Sequence, residues 1–275
     1  TRDQKLERWK SFFHKLLHSD SPENDCRADT TLPPPGRALN EVPPDEPAPT
    51  LADVKAAIGR LKSRRAAGPD GISPELLKHG GSALEREFHQ LISQIWDDER
   101  APRDWKDAII VTLYKKKDPS LCDNYRGLSL LSVPGKVYSL LLLDPLQERL
   151  EKVVMESQSG FRTGRGTTDH LFTLQQVLHD SCQFDRPTHT CFIDLRKAYD
   201  TVNRPALWGV LQHIGVSQKL QRLIRDLHTG TRSRVSAYGQ KSDYFDVNQG
   251  VRQGCIIAPA LLNIFLDHVL RIALN

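Results

Sequence analysis

The chain has 275 residues, enough for a substantial core and more than one subdomain. Its 39% hydrophobic and 26% charged content is ordinary for a globular protein, and the longest apolar run, around Leu140 to Leu143, is far too short to span a bilayer. A net charge of +4 admits nucleic acid as a partner without establishing it, while five widely spaced cysteines with no Cys-x-x-Cys exclude a disulfide framework or zinc knuckle and favour a reducing intracellular compartment, cytoplasm or nucleus.

Apolar positions at Leu6, Trp9, Phe12, Phe13, Leu16 and Leu17 have amphipathic-helix spacing, so residues 1–19 are predicted to form an N-terminal helix. His14 and His18 share one face of it, with no third metal ligand near, and read as solvent-facing. Residues 20–49 hold eight of the seventeen prolines and are expected to be an extended linker. Thr50 with Asp53 makes a capping box for a helix through Leu61. Ser73-Pro74-Glu75 opens another, closed by Gly80-Gly81, and Leu84, Phe88, Leu91, Ile92, Ile95 and Trp96 mark a third.

Ala108 to Tyr114 reads as a strand. Val137 to Val153 reads as a largely buried helix with a break near Pro145. Thr167 or Thr168 is expected to cap a helix ending near Cys182. A strand from Thr190 to Ile193 follows, then helices near 204–214 and 217–228. A hairpin of Thr231–Tyr238 and Asp243–Val247 is expected to turn at Gly239-Gln240-Lys241, and a last helix to start near Pro259. Strands and helices mix without a βαβ rhythm, which predicts an α+β fold.

The stretch Phe192-Ile193-Asp194-Leu195-Arg196-Lys197-Ala198-Tyr199-Asp200 carries the most chemistry. An apolar, β-prone run delivers Asp194 where a buried strand should end, and Gln249-Gly250-Val251-Arg252-Gln253-Gly254 then forms a glycine-rich turn before an apolar run. A strand-end carboxylate near such a turn suits a divalent ion holding a phosphorylated substrate. Taken alone, Asp194 is more often a loop or cap residue, and Tyr199 could equally be a core aromatic. Asp200 reads as a cap for the following helix. Lys116 and Lys117 read as a solvated turn.

In order and spacing these stretches resemble motifs A and B of reverse transcriptases, above all those of non-LTR (LINE-type) retrotransposons. Three earlier stretches add to the likeness: Ala66-Ala67-Gly68-Pro69-Asp70-Gly71-Ile72, an N-terminal extension motif; Trp105-Lys106 through Lys115, then Asn124-Tyr125-Arg126-Gly127-Leu128-Ser129-Leu130; and Gln158-Ser159-Gly160-Phe161-Arg162 with Arg165 and Gly166. Departures are Gly127 and Leu128 where relatives carry Pro-Ile, Asn203 where many carry an acid, and Ala258 in place of a serine.

The resemblance implies a right-hand RNA-directed DNA polymerase that extends a 3′-hydroxyl primer by two-metal nucleotidyl transfer. Residues 50–185 would be fingers and N-terminal extension, and residues 186–275 a partial palm. In an intact active site two Mg2+ ions, or Mn2+ in their place, would be bound, and Asp194 with the backbone carbonyl of Leu195 would supply part of their ligands. Lys115, Arg126, Tyr199, Gln253 and Gly254 would bind the nucleotide, Tyr199 as the steric gate against a 2′-hydroxyl. Gly160, Phe161, Arg162 and Arg165 would track the template. Partners are then an RNA template, a DNA primer and dNTPs, with no membrane and no zinc. The family's aromatic-x-Asp-Asp motif does not occur before Asn275, and the chain starts at Thr1 with Met155 its only methionine. We therefore expect a piece of a larger polypeptide, or a processed one, inactive by itself. Two rival readings are a degenerate copy that at most binds nucleic acid, and a group II intron enzyme.

Overall fold

A computed structural model describes residues 1–19 and 44–274, so most of the expected Pro-rich linker lies outside the described residues. Helix α1 (Arg2–Leu17) opens with a Thr1–Gln4 capping box. Helix α2 (Leu51–Gly59) opens with the expected box, the Thr50 hydroxyl accepting from Asp53 N and the Asp53 carboxylate accepting from Thr50 N. Helices α3 (Pro74–His79), α4 (Gly81–Asp98) and the short α5 (Arg103–Lys106) lead into strand β1 (Asp107–Tyr114). Strand β2 (Tyr125–Leu131) returns antiparallel to it, pairing Tyr114 with Tyr125 and Ala108 with Leu131.

Helix α6 (Val133–Val153) is the central rod. It runs through Pro145 without the expected break. An internal proline costs about 3 kcal/mol. Leu142, Leu146 and Leu150, completely buried on this helix, outweigh that, each contributing about 1.5–3 kcal/mol. Helix α7 (Thr167–Gln183) is capped by Gly166, whose N–H donates to Asp169 at 2.7 Å, rather than by a threonine. Helices α8 (Arg204–His213) and α9 (Gln218–His228) follow.

Strand β3 (Thr231–Ala237) lies parallel to β1, matching Asp107 to Arg232 and Val111 to Ser236. Strands β4 (Gln240–Lys241) and β5 (Phe245–Val247) both pair antiparallel with β3. The hairpin turns at Tyr238-Gly239, both at positive φ, so Gln240 and Lys241 are strand residues instead of the expected turn. Helix α10 (Ala258–Leu274) completes the α+β fold.

One core unites α2, α4, α6, α8, α9 and α10. A second lies between α1 and one face of the sheet, where Trp9 and Phe13 meet Ile110, Val235, Phe245 and Val247. The expected strand at Thr190–Ile193 is absent. Residues 187–195 have no regular secondary structure, and Phe192 and Ile193 are 84% and 76% exposed. A β-prone run becomes a strand only against a neighbour that takes its backbone hydrogen bonds, and no described strand lies beside this one.

Candidate nucleotide-binding cleft

A cleft of about 760 Å³ opens where β1 and β2 meet the segment from Asp194 to Asp200. It gathers six of the residues singled out from sequence: Lys115, Arg126, Asp194, Leu195, Tyr199 and Gln253. They come from three stretches far apart in the chain. Lys115 follows β1 directly, held by its N–H donating to Asn124 O at 2.9 Å. Arg126 lies on β2, the edge strand of the sheet. With its amide oriented to satisfy both ends, Gln253 donates to Gly127 O at 2.9 Å and accepts from Arg126 Nε at 3.2 Å. Ser129 N donates to Gln253 O at 3.0 Å, so the glycine-rich turn runs along the free edge of β2.

Two glycines make that approach possible. Gly254 has φ of +112°, and a Cβ there would come within 2.6 Å of Ser129 O. Gly250 has φ of +74°, and its Cβ would lie 2.6 Å from Asp200 O and 2.7 Å from Tyr199 O. The turn is tied to the Tyr199 stretch by Val251 N donating to Tyr199 O at 2.7 Å and Gly250 N to Val202 O at 2.9 Å. Gly254 thus acts through backbone packing. The Tyr199 ring lines the cleft and also rests on the main core, which raises its hydroxyl pKa through burial. One face of that side chain packs as a core aromatic would, and the other is open to the cleft.

Sequence reasoning missed several groups here. Asp123 pairs with Lys197 at 2.8 Å and Arg196 at 3.2 Å, and the Lys197 hydrogen bond, more than any other interaction, holds its carboxyl below the usual range. Lys117, expected in a solvated turn, also lines the cleft. Asp200 does not cap α8. Asn203 does, its Oδ1 accepting from Ala206 N at 2.8 Å. Asp200 is instead half-buried on the cleft wall, and burial pushes it up to about 6 against the pull of Lys197, Lys115 and Arg126. Arg204 is buried at the start of α8 and donates to Gly250 O at 2.9 Å, His228 O at 2.6 Å and Val247 O at 3.1 Å, bracing the glycine-rich turn. A surface arginine and a buried one look alike in sequence, and the Asn-Arg-Pro helix start offered no signal.

The four template residues lie apart from the cleft lining. Arg162 is turned inward, away from the exposed position that contact with a template implies. It is 7% exposed, its guanidinium donating to Glu151 at 2.8 and 2.9 Å and to the carbonyls of Met155 and Gln158 at 3.0 Å. With four of its five N–H donors spent inside the protein, this guanidinium braces the loop after α6. Gly160 O accepts from Asn263 on α10, Phe161 is 63% exposed, and Arg165 is paired with Glu156.

Five cationic side chains and three carboxylates line the cleft. Asp194 and the Leu195 carbonyl are hard oxygen donors on its open side, the chemistry a magnesium ion takes when phosphates and water complete its shell. Among the described residues no group of three His, Cys, Asp or Glu could hold an ion by itself. Any ion here would have to complete its shell with the oxygens of a phosphorylated ligand and water. No helix among the described residues is long and apolar enough to cross a membrane.

The profile of the family described as reverse transcriptase (RNA-dependent DNA polymerase) matches residues 114–275, more than half of the chain. The chain belongs to the reverse transcriptase family. It is 27% identical over 219 residues to the RNA-directed DNA polymerase from mobile element jockey of Drosophila funebris, covering 78% of this chain and 24% of that protein. It is 28% identical over 266 residues to a putative 115 kDa protein in type-1 retrotransposable element R1DM of Drosophila melanogaster, covering 96% of this chain and 24% of that protein. It is 24% identical over 222 residues to the retrovirus-related Pol polyprotein from type-2 retrotransposable element R2DM of the same species, covering 81% and 20%. The chain thus spans about a quarter or less of the length of these relatives.

Proposed function

We propose that the cleft holds an incoming deoxynucleoside triphosphate for RNA-templated extension of a DNA primer. The observation that carries this reading is the convergence of Lys115, Arg126, Asp194, Tyr199 and Gln253 on one cleft. Lys115 gives a compact charge and Arg126 a bidentate fork for phosphate oxygens. Gln253 orients Arg126 from behind and presents its side chain along the β2 edge. Tyr199 forms the floor beneath the sugar, where its ring would leave no room for a 2′-hydroxyl.

Asp194 and the Leu195 carbonyl would hold magnesium, or manganese in its place, together with the triphosphate. Two such ions, when bound, stabilise the attacking and leaving oxygens of an in-line displacement. Asp123, tied to Lys197 and Arg196, keeps those cations at the cleft mouth. In this reading residues 50–185 act as fingers and N-terminal extension, and residues 186–275 as palm. The RNA template passes Phe161 and Arg165, and the setting is intracellular, which suits the free Cys122, Cys182, Cys191 and Cys255.

Titrating the chain with a fluorescent dATP analogue in magnesium buffer tests this. Saturable binding is expected, weakened about tenfold by Lys115→Ala and by Arg126→Ala, the loss of one charged contact of about 1.4 kcal/mol each. No saturation, or the same Kd in both variants, overturns the reading.

A further inference from the structure

We propose that α1 is a wall of the nucleotide cleft and that Phe13 is a positioning residue for Arg126 and Gln253, an inference that rests on the nucleotide reading of the cleft. Helix α1 lies outside the stretch matched by the family profile, yet it touches every stretch that supplies the cleft. Phe12, Phe13 and Leu16 all line it. The Phe12 ring carries the Lys197 ammonium 4.5 Å from its centroid, between Asp194 and Tyr199 in sequence. At the end of the helix Leu17 O accepts from Asn248 N and Gln249 N, both at 3.2 Å. Asn248 closes the clamp, its Oδ1 accepting from Ser19 N at 2.8 Å and its Nδ2 donating to Ser19 O at 2.9 Å.

The contact that decides the matter is at Gly127. Its carbonyl accepts from Gln253, whose other end holds Arg126. A Cβ on Gly127 would lie 2.6 Å from Cε1 of Phe13, 3.0 Å from its Cζ and 3.1 Å from Cγ2 of Ile110. That ring has nowhere to go. It is 3% exposed, stacked on Trp9 at 6.0 Å and met edge-on by Phe12 at 5.2 Å. Gly127, which departs from the family's proline, is the residue that lets α1 seat against β2. Seating Phe13 presses on the strand that presents Arg126 and the carbonyl that fixes Gln253. A residue acting only through packing would give stability alone, whereas this one sets the geometry of two ligand-facing side chains.

The test measures the Kd of the fluorescent dATP analogue per folded molecule, with melting temperature alongside. Gly127→Ala is expected to weaken binding about tenfold, the scale on which sub-ångström misplacement of a binding group is felt. Adding Phe13→Leu, which removes the ring from the space the new methyl enters, should bring Kd back to within about threefold of wild type. Phe12→Ala leaves the Phe13 anchor in place and covers the case in which Gly127→Ala does not fold; about threefold weaker binding is expected from the lost cation–π contact. Ile92→Ala, a cavity on α4 in the main core and outside the α1 core, should lower the melting temperature and leave Kd unchanged. Binding that responds to Lys115→Ala but is indifferent to Gly127→Ala and Phe12→Ala, or a weakened Gly127→Ala that Phe13→Leu fails to restore, overturns the role of α1 alone. Absence of binding by the wild-type chain overturns the nucleotide reading and this proposal with it.

Discussion

Asp200 sits at the cleft at a cost. Burial raises its carboxyl to about 6, above the ordinary 3.8, although Lys197, Lys115 and Arg126 all pull the other way. The folded protein therefore binds this proton more readily than the unfolded chain. Its contribution to stability is full below the unfolded value and is lost as pH rises through about 6. Asp200→Asn, which cannot ionise, should stabilise the protein above pH 6 by on the order of 2 to 3 kcal/mol, with the difference vanishing towards pH 4. Thermal melts of both proteins at several pH values check it. A gain of the same size at pH 4 and pH 7.5 would show that charge burial is not the cause.

At the scale of the element, α7 stands out. Its sequence has apolar positions at Leu171, Leu174, Val177 and Leu178, yet none of its residues is buried, and Leu171 and Phe172 are each 62% exposed. It is held by its own ladder and the Gly166–Asp169 cap, and short helices without tertiary packing are marginal in water. The segment after it has no ladder at all. Amide hydrogen exchange should find α7 and residues 187–196 opening far below the global unfolding free energy, while α6 and α9 open only with it. Protection in α7 equal to that in α6 would mean that the helix is packed in solution. The contrast between these helices lies in burial: α6 has eleven buried residues and α7 none.

For the whole molecule, the proposed reading assigns nucleic-acid contacts to basic residues whose donors still face outward. Arg165, with its partner Glu156 on the surface, can exchange that pair for a phosphate. Arg165→Ala should reduce the slope of log affinity for single-stranded RNA against log salt by about 0.7. Arg162→Ala should leave the slope unchanged and lower the melting temperature instead. It strips Glu151 and two backbone carbonyls of a donor, a loss of about 2 to 3 kcal/mol. Filter binding across a salt series, with melts of the same proteins, separates the two. A slope change on Arg162→Ala would return that residue to the template path.

Local chemistry alone determined much of this protein. The Thr50–Asp53 capping box, the helices at Leu84–Trp96 and after Pro259, the β1 strand and the glycine-rich turn were legible because each depends on residues within a few positions of one another. So was the family, because its motifs keep their order along the chain. Six of the candidate site residues do meet in one cleft, Gly254 supports it through backbone packing, and Arg162 is buried in the loop after α6. What sequence could not reveal depends on partners distant in the chain. Thr190–Ile193 has strand composition but no neighbouring edge. Pro145 is carried by the burial around it. Arg204 and Arg162 are internal because carbonyls and a carboxylate from other elements surround them. Phe13 finds Gly127 more than a hundred positions away. Propensity and capping are properties of a short segment, whereas burial, pairing and the pKa of Asp200 belong to the space that several segments enclose together, which only the tertiary structure decides.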